Sequence, residues 1–216
     1  IIFYLLDNLC ICDKIDFVYI TYNKDYADYD FEKQITTNYP KIKFKFLKLN
    51  NNTKGAAETI KKGLENLTET VDCPILSIDS DNFYTTDIIS KWDKGNQIFT
   101  FSDTLNNPIY SYVTLDNDNK INHIIEKEKI SNHACCGAYG FSSWKQLLYY
   151  INDAINVTSN NELYTSIIIN NMIRDNIIFK AYNICNKFYY SLGTPEQVYK
   201  YEYSLLFDLD GTLVNT

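Results

Sequence analysis

The chain has 216 residues, a size that fits one α/β domain, or two if one of them is small or incomplete. Hydrophobic residues make up 45% and aromatic residues 15% of the sequence, which is enough for a packed core and argues against global disorder. The net charge of −7 and a single arginine, Arg174, argue against a general nucleic-acid-binding surface.

The cysteines and the hydropathy pattern indicate a protein of the cytoplasm. The six cysteines form neither metal-type CxxC pairs nor a dense disulfide pattern, so we expect reduced thiols. No apolar run approaches the length of a membrane span, and no membrane partner is predicted. The chain begins at Ile1 and its one methionine is Met172. We therefore expect it to be a piece of a longer protein.

The first part of the chain alternates between predicted helices and strands. Helices are predicted at 1–10, 31–37 and 54–67, strands at 17–21, 42–46 and 75–78, and loops at 23–30 and 50–53. Apolar residues alternate with lysines over 41–46, which indicates a strand with one wet face near a sheet edge. The run at 75–78 is apolar throughout, which indicates a strand buried on both faces.

The second part adds further strands and helices. A short helix is predicted at 86–92, strands at 97–101, 109–115, 121–126, 136–141 and 177–182, and helices at 142–152 and 162–174. The turn at 116–119 predicts a hairpin, and Pro195 predicts the first residue of a last helix. Strands alternating with helices, plus an inserted hairpin, predict an α/β fold with a mixed sheet.

The stretch from Pro74 to Tyr84 is the first candidate for chemistry. Its apolar run ends at Asp79-Ser-Asp81-Asn, so two carboxylates stand where a strand leaves the sheet. Ligands of open α/β sheets bind outside the carboxyl ends of the strands. Two aspartates separated by one residue can both reach one hard cation, which keeps phosphate oxygens in its shell. The alternative is an Asp/Asn-rich turn without a ligand.

Four stretches, in this order, resemble the sugar-1-phosphate nucleotidyltransferases. They are Thr53–Thr59, Pro74–Phe83, Ile125–Lys127 with Cys136–Tyr139, and Gly193–Glu196. The resemblance covers residues 1 to about 203 and implies a Rossmann-like, three-layer α/β fold with a mixed sheet. Enzymes of this family join a nucleoside triphosphate to a sugar phosphate and release pyrophosphate. An acceptor other than a sugar phosphate, such as another alcohol phosphate, is left open, as is a homo-oligomer.

The resemblance assigns the nucleotide and the metal to the first two stretches. Thr53 and Gly55 match the family's nucleotide-binding loop, where a glycine would let a planar base approach the backbone. Asp81 matches the metal-binding catalytic aspartate, and Asp79 supplies a second carboxylate for nucleotide-bound Mg²⁺ or Mn²⁺. The alternative for the loop is a helix start that binds nothing.

The resemblance assigns the sugar phosphate to the third stretch. Glu126 and Lys127 match the family's Glu–Lys pair near the sugar phosphate, with Lys127 a catalytic candidate, and Gly137 and Tyr139 match its Gly-x-Tyr strand lining the sugar pocket. The alternative for Glu126–Lys127 is a solvated strand end. The Gly193–Glu196 turn leads into the last helix and is mainly structural.

Two departures from the family pattern stand out. The family begins with a strand and a glycine-rich loop bearing a basic residue, which wraps the triphosphate. No glycine precedes Gly55 in this sequence, and Ile1-Ile2 resembles the helix that follows that loop. We therefore expect roughly 20 to 30 residues to be lacking, which is most of a βα unit. Many members also carry a metal-binding aspartate where this chain has Ser191.

The end of the chain resembles a different family. Leu205–Thr216 reads LLFDLDGTLVNT, the first motif of the haloacid dehalogenase phosphatase superfamily. That resemblance implies that Asp208 attacks a phosphoryl group, Asp210 acts as general acid and base, and both bind Mg²⁺. The later motifs of that superfamily are not in these 216 residues.

The sequence as a whole predicts two domains with different chemistry. A nucleotidyltransferase domain is predicted at 1–203 and the start of a phosphatase domain at 204–216, in a bifunctional protein for activated-sugar or surface-polysaccharide synthesis. The alternatives are a metal-dependent glycosyltransferase, which also uses a DxD motif, and a degenerate nucleotide-binding paralogue without turnover.

Overall fold

The computed structural model describes residues 1–9, 15–157 and 162–201. The helices are α1 (Ile2–Leu9), α2 (Phe31–Asn38), α3 (Ala56–Glu65), α4 (Trp144–Val157) and α5 (Thr165–Arg174). The strands are β1 (Val18–Asn23), β2 (Phe44–Leu49), β3 (Ile75–Ile78), β4 (Asn82–Tyr84), β5 (Gln97–Ser102), β6 (Ser111–Leu115), β7 (Ile121–Glu126), β8 (His133–Phe141), β9 (Lys180–Asn183) and β10 (Tyr189–Ser191). The predicted α/β fold with a mixed sheet is confirmed.

The main sheet is built around β8. Its strand order is β7-β6-β8-β5-β9, and β3 also pairs with β8, over Ala138–Phe141. The β5–β9 pair is parallel, whereas β8 is antiparallel to β3, β5 and β6. The predicted hairpin is present as the antiparallel pair β6–β7. Gly137 lies within β8 where the β5–β8 register shifts, and its φ of +76° is a value that favours glycine.

Two apolar clusters cover the two faces of this sheet. The first packs beneath α3, α4 and α5 and includes Leu64, Leu147 and Ile169. The second packs beneath α1 and α2 and includes Leu6 and Ile35. The molecule therefore has the three layers that the resemblance implies. Within the described residues, no helix has both the length and the apolar character needed to cross a bilayer.

The sheet layer is interrupted between β1 and β3. In the described part of the chain, β1 pairs with β2 alone and β3 with β8 alone, so each has an edge without a strand partner. Residues before and at the starts of β1, β2 and β3 line one cleft of about 510 Å³: Asp16, Phe17, Lys43, Phe44, Lys45, Glu69, Thr70, Val71 and Cys73. These three strands therefore start at the same end of the layer.

Both open edges lie between the same apolar clusters. Ile20 of β1 and Leu76 of β3 pack on the second cluster, while Ile75 packs on the first. Helix α3 covers the first cluster, and its Gly63 faces the Tyr19 and Thr21 side chains of β1. We call the interval between the open edges the strand slot. It also explains why β3 is only half-buried, whereas the prediction was burial on both faces.

The predicted helix at 86–92 is wrong, because this segment is a turn. The Asp87 carboxylate accepts a hydrogen bond from the Ser90 N–H at 2.9 Å. The Trp92 indole N–H donates to the Gly95 oxygen at 2.8 Å. These local contacts take the chain back toward β5 after one turn. The loop predicted at 23–30 contains a 3-10 helix, Lys24–Tyr29, begun by the Asn23 side chain.

The remaining differences between the predicted and the observed elements concern three short strands. Strands β4 and β10, which the sequence did not predict, form a two-stranded antiparallel sheet. Strand β9 begins at Lys180, three residues later than predicted. The helix predicted from Pro195 is present and is described to Tyr201. The phosphatase-like motif, with Asp208 and Asp210, lies outside the described residues.

Candidate active site

Asp79 and Asp81 occupy the turn that follows β3. The Asp79 N–H donates to the Gly137 oxygen of β8 at 2.8 Å, and the Leu192 N–H donates to the Asp81 oxygen at 2.8 Å. The turn is thereby fixed at two points, one on the main sheet and one just after β10. Both aspartates lie at the carboxyl end of β3, where the sequence predicted them.

Two glycines allow the backbone to approach these carboxylates. A Cβ atom at Gly137 would lie 2.8 Å from the Asp79 Oδ2 atom, and one at Gly193 would lie 2.5 Å from the Asp81 Oδ2 atom. Both distances are too short for non-bonded atoms, so any side chain at these positions would displace a carboxylate. Gly137 and Gly193 are therefore part of the site because of the space they leave.

Asn82 completes the turn from the interior. Its side chain is buried, and its Oδ1 atom accepts a hydrogen bond from the Tyr189 hydroxyl at 3.0 Å. Because Tyr189 is on β10, this bond ties the Asp79–Asn82 turn to the short β4–β10 sheet. Asn82 directly follows Asp81 and so belongs to the stretch singled out from the sequence, whereas nothing in the sequence pointed to Tyr189.

The electrostatics of Asp79 distinguish it from an ordinary turn residue. Burial raises the pKa of the Asp79 carboxyl to about 7, and the nearby carboxylates of Asp81 and Glu126 add to the rise. Three acidic side chains therefore influence one another at this end of the sheet. A cation bound at this end of the sheet would favour the ionised form of Asp79 and offset its repulsion with Asp81 and Glu126.

We expect the charge on Asp79 to make the folded chain less stable as the pH rises. A carboxyl whose pKa is about 7 when folded and near its ordinary value of 3.8 when unfolded stays protonated in the folded state between those values. Its contribution to stability is then lost as the pH rises through 7. In metal-free buffer at pH 8, Asp79→Asn should raise the free energy of unfolding by about 1 kcal/mol or more, and the melting temperature by several degrees. At pH 4 the gain should be much smaller.

Thermal unfolding followed by circular dichroism over pH 4–8 would test this expectation. Asp153→Asn is the matched control, because Asp153 is exposed on α4. The same pH dependence in wild type and Asp79→Asn would contradict the burial argument.

Glu126 is the last residue of β7, and Lys127 directly follows it. The Glu126 Oε2 atom accepts hydrogen bonds from the Ser111 hydroxyl and, at 2.9 Å, from the Ser166 hydroxyl. Lys127 is exposed and has φ of 52°, an uncommon value for a residue with a side chain. Glu126 is thus held inward toward the other acids, and Lys127 points to the rim.

The Lys127 ammonium group rests on Tyr164. Its Nζ atom donates to the Tyr164 hydroxyl at 3.1 Å and lies 5.0 Å from the centre of the ring. The Tyr164 hydroxyl in turn donates to the Glu162 carboxylate. The hydrogen bond from Lys127 to Tyr164 is the main reason that the pKa of the Lys127 amine is raised. Nothing in the sequence pointed to Tyr164, Ser111 or Ser166 as functional residues.

The expectation that a planar base approaches the backbone at Gly55 is corrected by the structure. Its φ is +152°, and a Cβ atom there would lie 2.7 Å from the Leu163 backbone oxygen. The side of Gly55 that was expected to face a base is therefore filled by the 163 backbone. Thr53 is half-buried in the same loop, and its Oγ1 atom lies 2.6 Å from that of Thr59.

Tyr139 lies beneath the acidic residues. It is 6% exposed and belongs to the first apolar cluster. Burial raises the pKa of its hydroxyl, and the charges of Asp79 and Glu126 contribute. Tyr139 therefore supports the floor of the site from the core.

The Asp79 and Asp81 carboxylates fit a divalent cation that takes its other oxygen ligands from water and a phosphate. Among the described residues, no group of three or more His, Cys, Asp or Glu side chains is arranged to hold a metal ion. The Asp79–Asp81 pair nonetheless has the composition that Mg²⁺ uses with phosphates, since Mg²⁺ is bound by one or two carboxylates, waters and substrate oxygens. A cation at this site would be shared with a phosphate-bearing ligand.

The fold is that of several solved nucleotidyltransferase structures. The nucleoside-diphosphate-sugar pyrophosphorylase from Vibrio cholerae RC9 superposes with a TM-score of 0.79 at 18% identity, over 91% of this chain and 84% of that one. The inositol-1-phosphate CTP transferase from T. maritima gives 0.72 at 10% identity, over 91% and 77%. The CTP:phosphocholine cytidylyltransferase from Streptococcus pneumoniae gives 0.69 at 14% identity, over 92% and 82%.

The likeness to these proteins is one of structure. No protein-family model matches the sequence, and no curated protein matches it. At these identities the superpositions establish a shared fold.

Proposed function

We propose that this chain is the core of a nucleotidyltransferase that joins a nucleoside triphosphate to a sugar 1-phosphate and releases pyrophosphate. The observation that carries the proposal is the group formed by Asp79, Asp81 and Glu126, beside Gly137 and Gly193, at the carboxyl end of β3. The shared fold with solved nucleotidyltransferases supports it.

The reaction is an in-line displacement at the α-phosphorus. An oxygen of the acceptor phosphate forms the new bond to this phosphorus, and the bond to the bridging oxygen of pyrophosphate breaks. No covalent enzyme intermediate is needed, so the chain contributes positioning and charge. Mg²⁺ or Mn²⁺ would be held by Asp79 and Asp81 and would offset the negative charge of the phosphates.

The residues then take distinct roles. Lys127, exposed at the rim, binds the acceptor phosphate as a cation. Glu126, held by Ser166, lies on the same side of the site and accepts hydrogen bonds from the acceptor. The loop that contains Thr53 lies against the nucleotide, while Gly55 packs against the Leu163 backbone. Gly137 leaves room for the carboxylates, and Tyr139 supports the acceptor pocket from below.

The strand slot supports a further strand and a glycine-rich loop in the complete enzyme. Strands β1, β2 and β3 all start at the same cleft. A strand that ran through the slot parallel to them would end beside Asp79. Residues following that strand would enter an acidic site, so a glycine-rich loop with a basic residue suits the local charge. This loop would supply backbone N–H donors for the triphosphate.

The phosphatase half is proposed from sequence alone. Asp208 and Asp210 would serve, with Mg²⁺, as nucleophile and general acid and base in a second domain beginning near residue 204. This would make the parent protein a bifunctional enzyme.

Pyrophosphate release tests the proposed function. The protein, with a strand and a basic glycine-rich loop fused ahead of Ile1, should be assayed against four ribonucleoside triphosphates and dTTP, each with a panel of sugar and alcohol phosphates. We expect release with a narrow set of pairs. Release of a nucleoside diphosphate from nucleotide sugars would instead indicate a glycosyltransferase, and nucleotide binding without turnover would indicate a degenerate paralogue.

A further inference from the structure

Residues 162–166 contact the proposed nucleotide loop through the backbone. The Ala57 N–H donates to the Leu163 oxygen at 3.1 Å, and the Leu163 N–H donates to the Lys54 oxygen at 3.2 Å. Gly55 lies so close to Leu163 that no Cβ atom fits between them. The position of residue 163 is therefore coupled to that of the 53–57 loop.

The same five residues contact the proposed acceptor side through their side chains. Tyr164 accepts the hydrogen bond from Lys127, and Ser166 donates to Glu126. Glu162 accepts from the Tyr164 hydroxyl and so fixes the direction of that hydroxyl. Ser166 is 2% exposed, so its hydrogen bond to Glu126 is shielded from water.

We propose that residues 162–166 form one positioning element that couples nucleotide binding at the 53–57 loop to acceptor-phosphate binding at Lys127. The names of the two ligands rest on the proposed function. Tyr164 and Ser166 act through Lys127 and Glu126, so they are positioning residues. A ligand that orders the 53–57 loop also orders Leu163, and this fixes the partners of Lys127 and Glu126 before the second ligand arrives.

The coupling is reciprocal, because it is a free energy shared by two binding equilibria. A nucleotide should tighten acceptor-phosphate binding by about fivefold or more, the lower end of typical couplings. The acceptor should tighten nucleotide binding by the same factor. Loss of the Tyr164 hydroxyl should reduce this factor toward one while leaving the affinity for nucleotide alone nearly unchanged.

The first test needs no enzymatic activity. Lysine acylation by acetic anhydride at pH 9, followed by mass spectrometry, reports how much of each amine is unprotonated. In Tyr164→Phe we expect Lys127 to react faster, because the hydrogen bond that raises the pKa of its amine is lost. Tyr149→Phe is the matched control, because Tyr149 is exposed on α4. An unchanged Lys127 rate in Tyr164→Phe would overturn the proposal.

The second test disturbs the element from its other side. In Gly55→Ala the new methyl group meets the Leu163 oxygen, so the element must shift. We expect the acylation rate of Lys127 to change, although residue 55 precedes it by 72 positions. Gly95→Ala is the control, since its Cβ would meet a flexible Asp93 side chain. An altered nucleotide affinity with an unaltered Lys127 rate would show that the two sides are independent.

Ser166→Ala keeps the proposal testable if Gly55→Ala does not fold. Calorimetry with each nucleoside triphosphate in MgCl₂, with and without inorganic phosphate, measures the coupling directly. We expect a smaller coupling in Tyr164→Phe and Ser166→Ala than in wild type, and equal couplings would overturn the proposal. If no nucleotide binds to wild type or to the form with the fused strand and loop, the proposed function fails, while the acylation tests still decide whether the element positions Lys127.

Discussion

Replacing Asp81 by asparagine should abolish cation-dependent nucleotide binding. Asp81 is exposed at the tip of the turn, and its contact with Leu192 is made by its backbone oxygen, so the substitution leaves the turn intact. Asparagine keeps the shape but removes the charge that the cation requires. Calorimetric titration with Mn²⁺ in the presence of nucleotide should lose its signal. In the form with the fused strand and loop, pyrophosphate release should fall on the order of 10²- to 10³-fold.

Asp79→Asn should give a similar loss, because Asp79 and Asp81 supply the two carboxylates of the turn. Asp153→Asn, on the exposed face of α4, should bind the cation normally. Unchanged Mn²⁺ titrations in both turn variants, with melting temperatures showing that they are folded, would remove the metal assignment altogether.

Adding a strand and a glycine-rich loop ahead of Ile1 should raise pyrophosphate release by about 10²-fold or more over residues 1–216 alone. Each oriented donor to the transition state contributes on that scale, and the loop supplies several. The Tyr4 ring of α1 stacks on Phe83, which follows the Asp79–Asn82 turn, so the start of α1 lies near the carboxyl end of β3. A strand in the slot can therefore be joined to Ile1 by a short loop.

Hydrogen exchange would show whether the added strand occupies the slot. Amides of both β1 and β3 should become more protected, because each strand gains a ladder partner on its open edge. The control is the same extension with a proline at its centre, which cannot donate to the ladder. Protection of β2 without β3 would place the extension on the outer edge of β2. Equal rates of pyrophosphate release with and without the extension would show that the loop is not needed.

The sequence could predict those parts of the fold whose signals are local. The apolar run of β3 and the carboxylates after it are adjacent in the chain, so the position of Asp79 and Asp81 followed from pattern alone. Strands β4 and β10 are three residues long and pair across more than 100 positions. No periodicity can be detected in so short a segment, so these strands could not be predicted.

The contacts that position Glu126 and Lys127 could not be predicted from the sequence for a related reason. Ser111, Ser166 and Tyr164 are ordinary residues in the sequence, and they matter because folding brings them to Glu126 and Lys127. Gly55 shows the same limit in another form. Its conformational freedom was predictable, but its neighbour, Leu163, comes from a different part of the chain.

The short β4–β10 sheet makes the site sensitive to mechanical force. The Tyr201 ring packs against Tyr4, Phe83 and Tyr190, and Phe83 is two residues from Asp81. A pull on the chain beyond residue 201 would reach these rings first and the Asp81 turn next, through the bond from Leu192. In an optical-trap experiment with one handle at the carboxyl terminus, the earliest unfolding step should therefore coincide with loss of cation binding, while the main sheet is still intact.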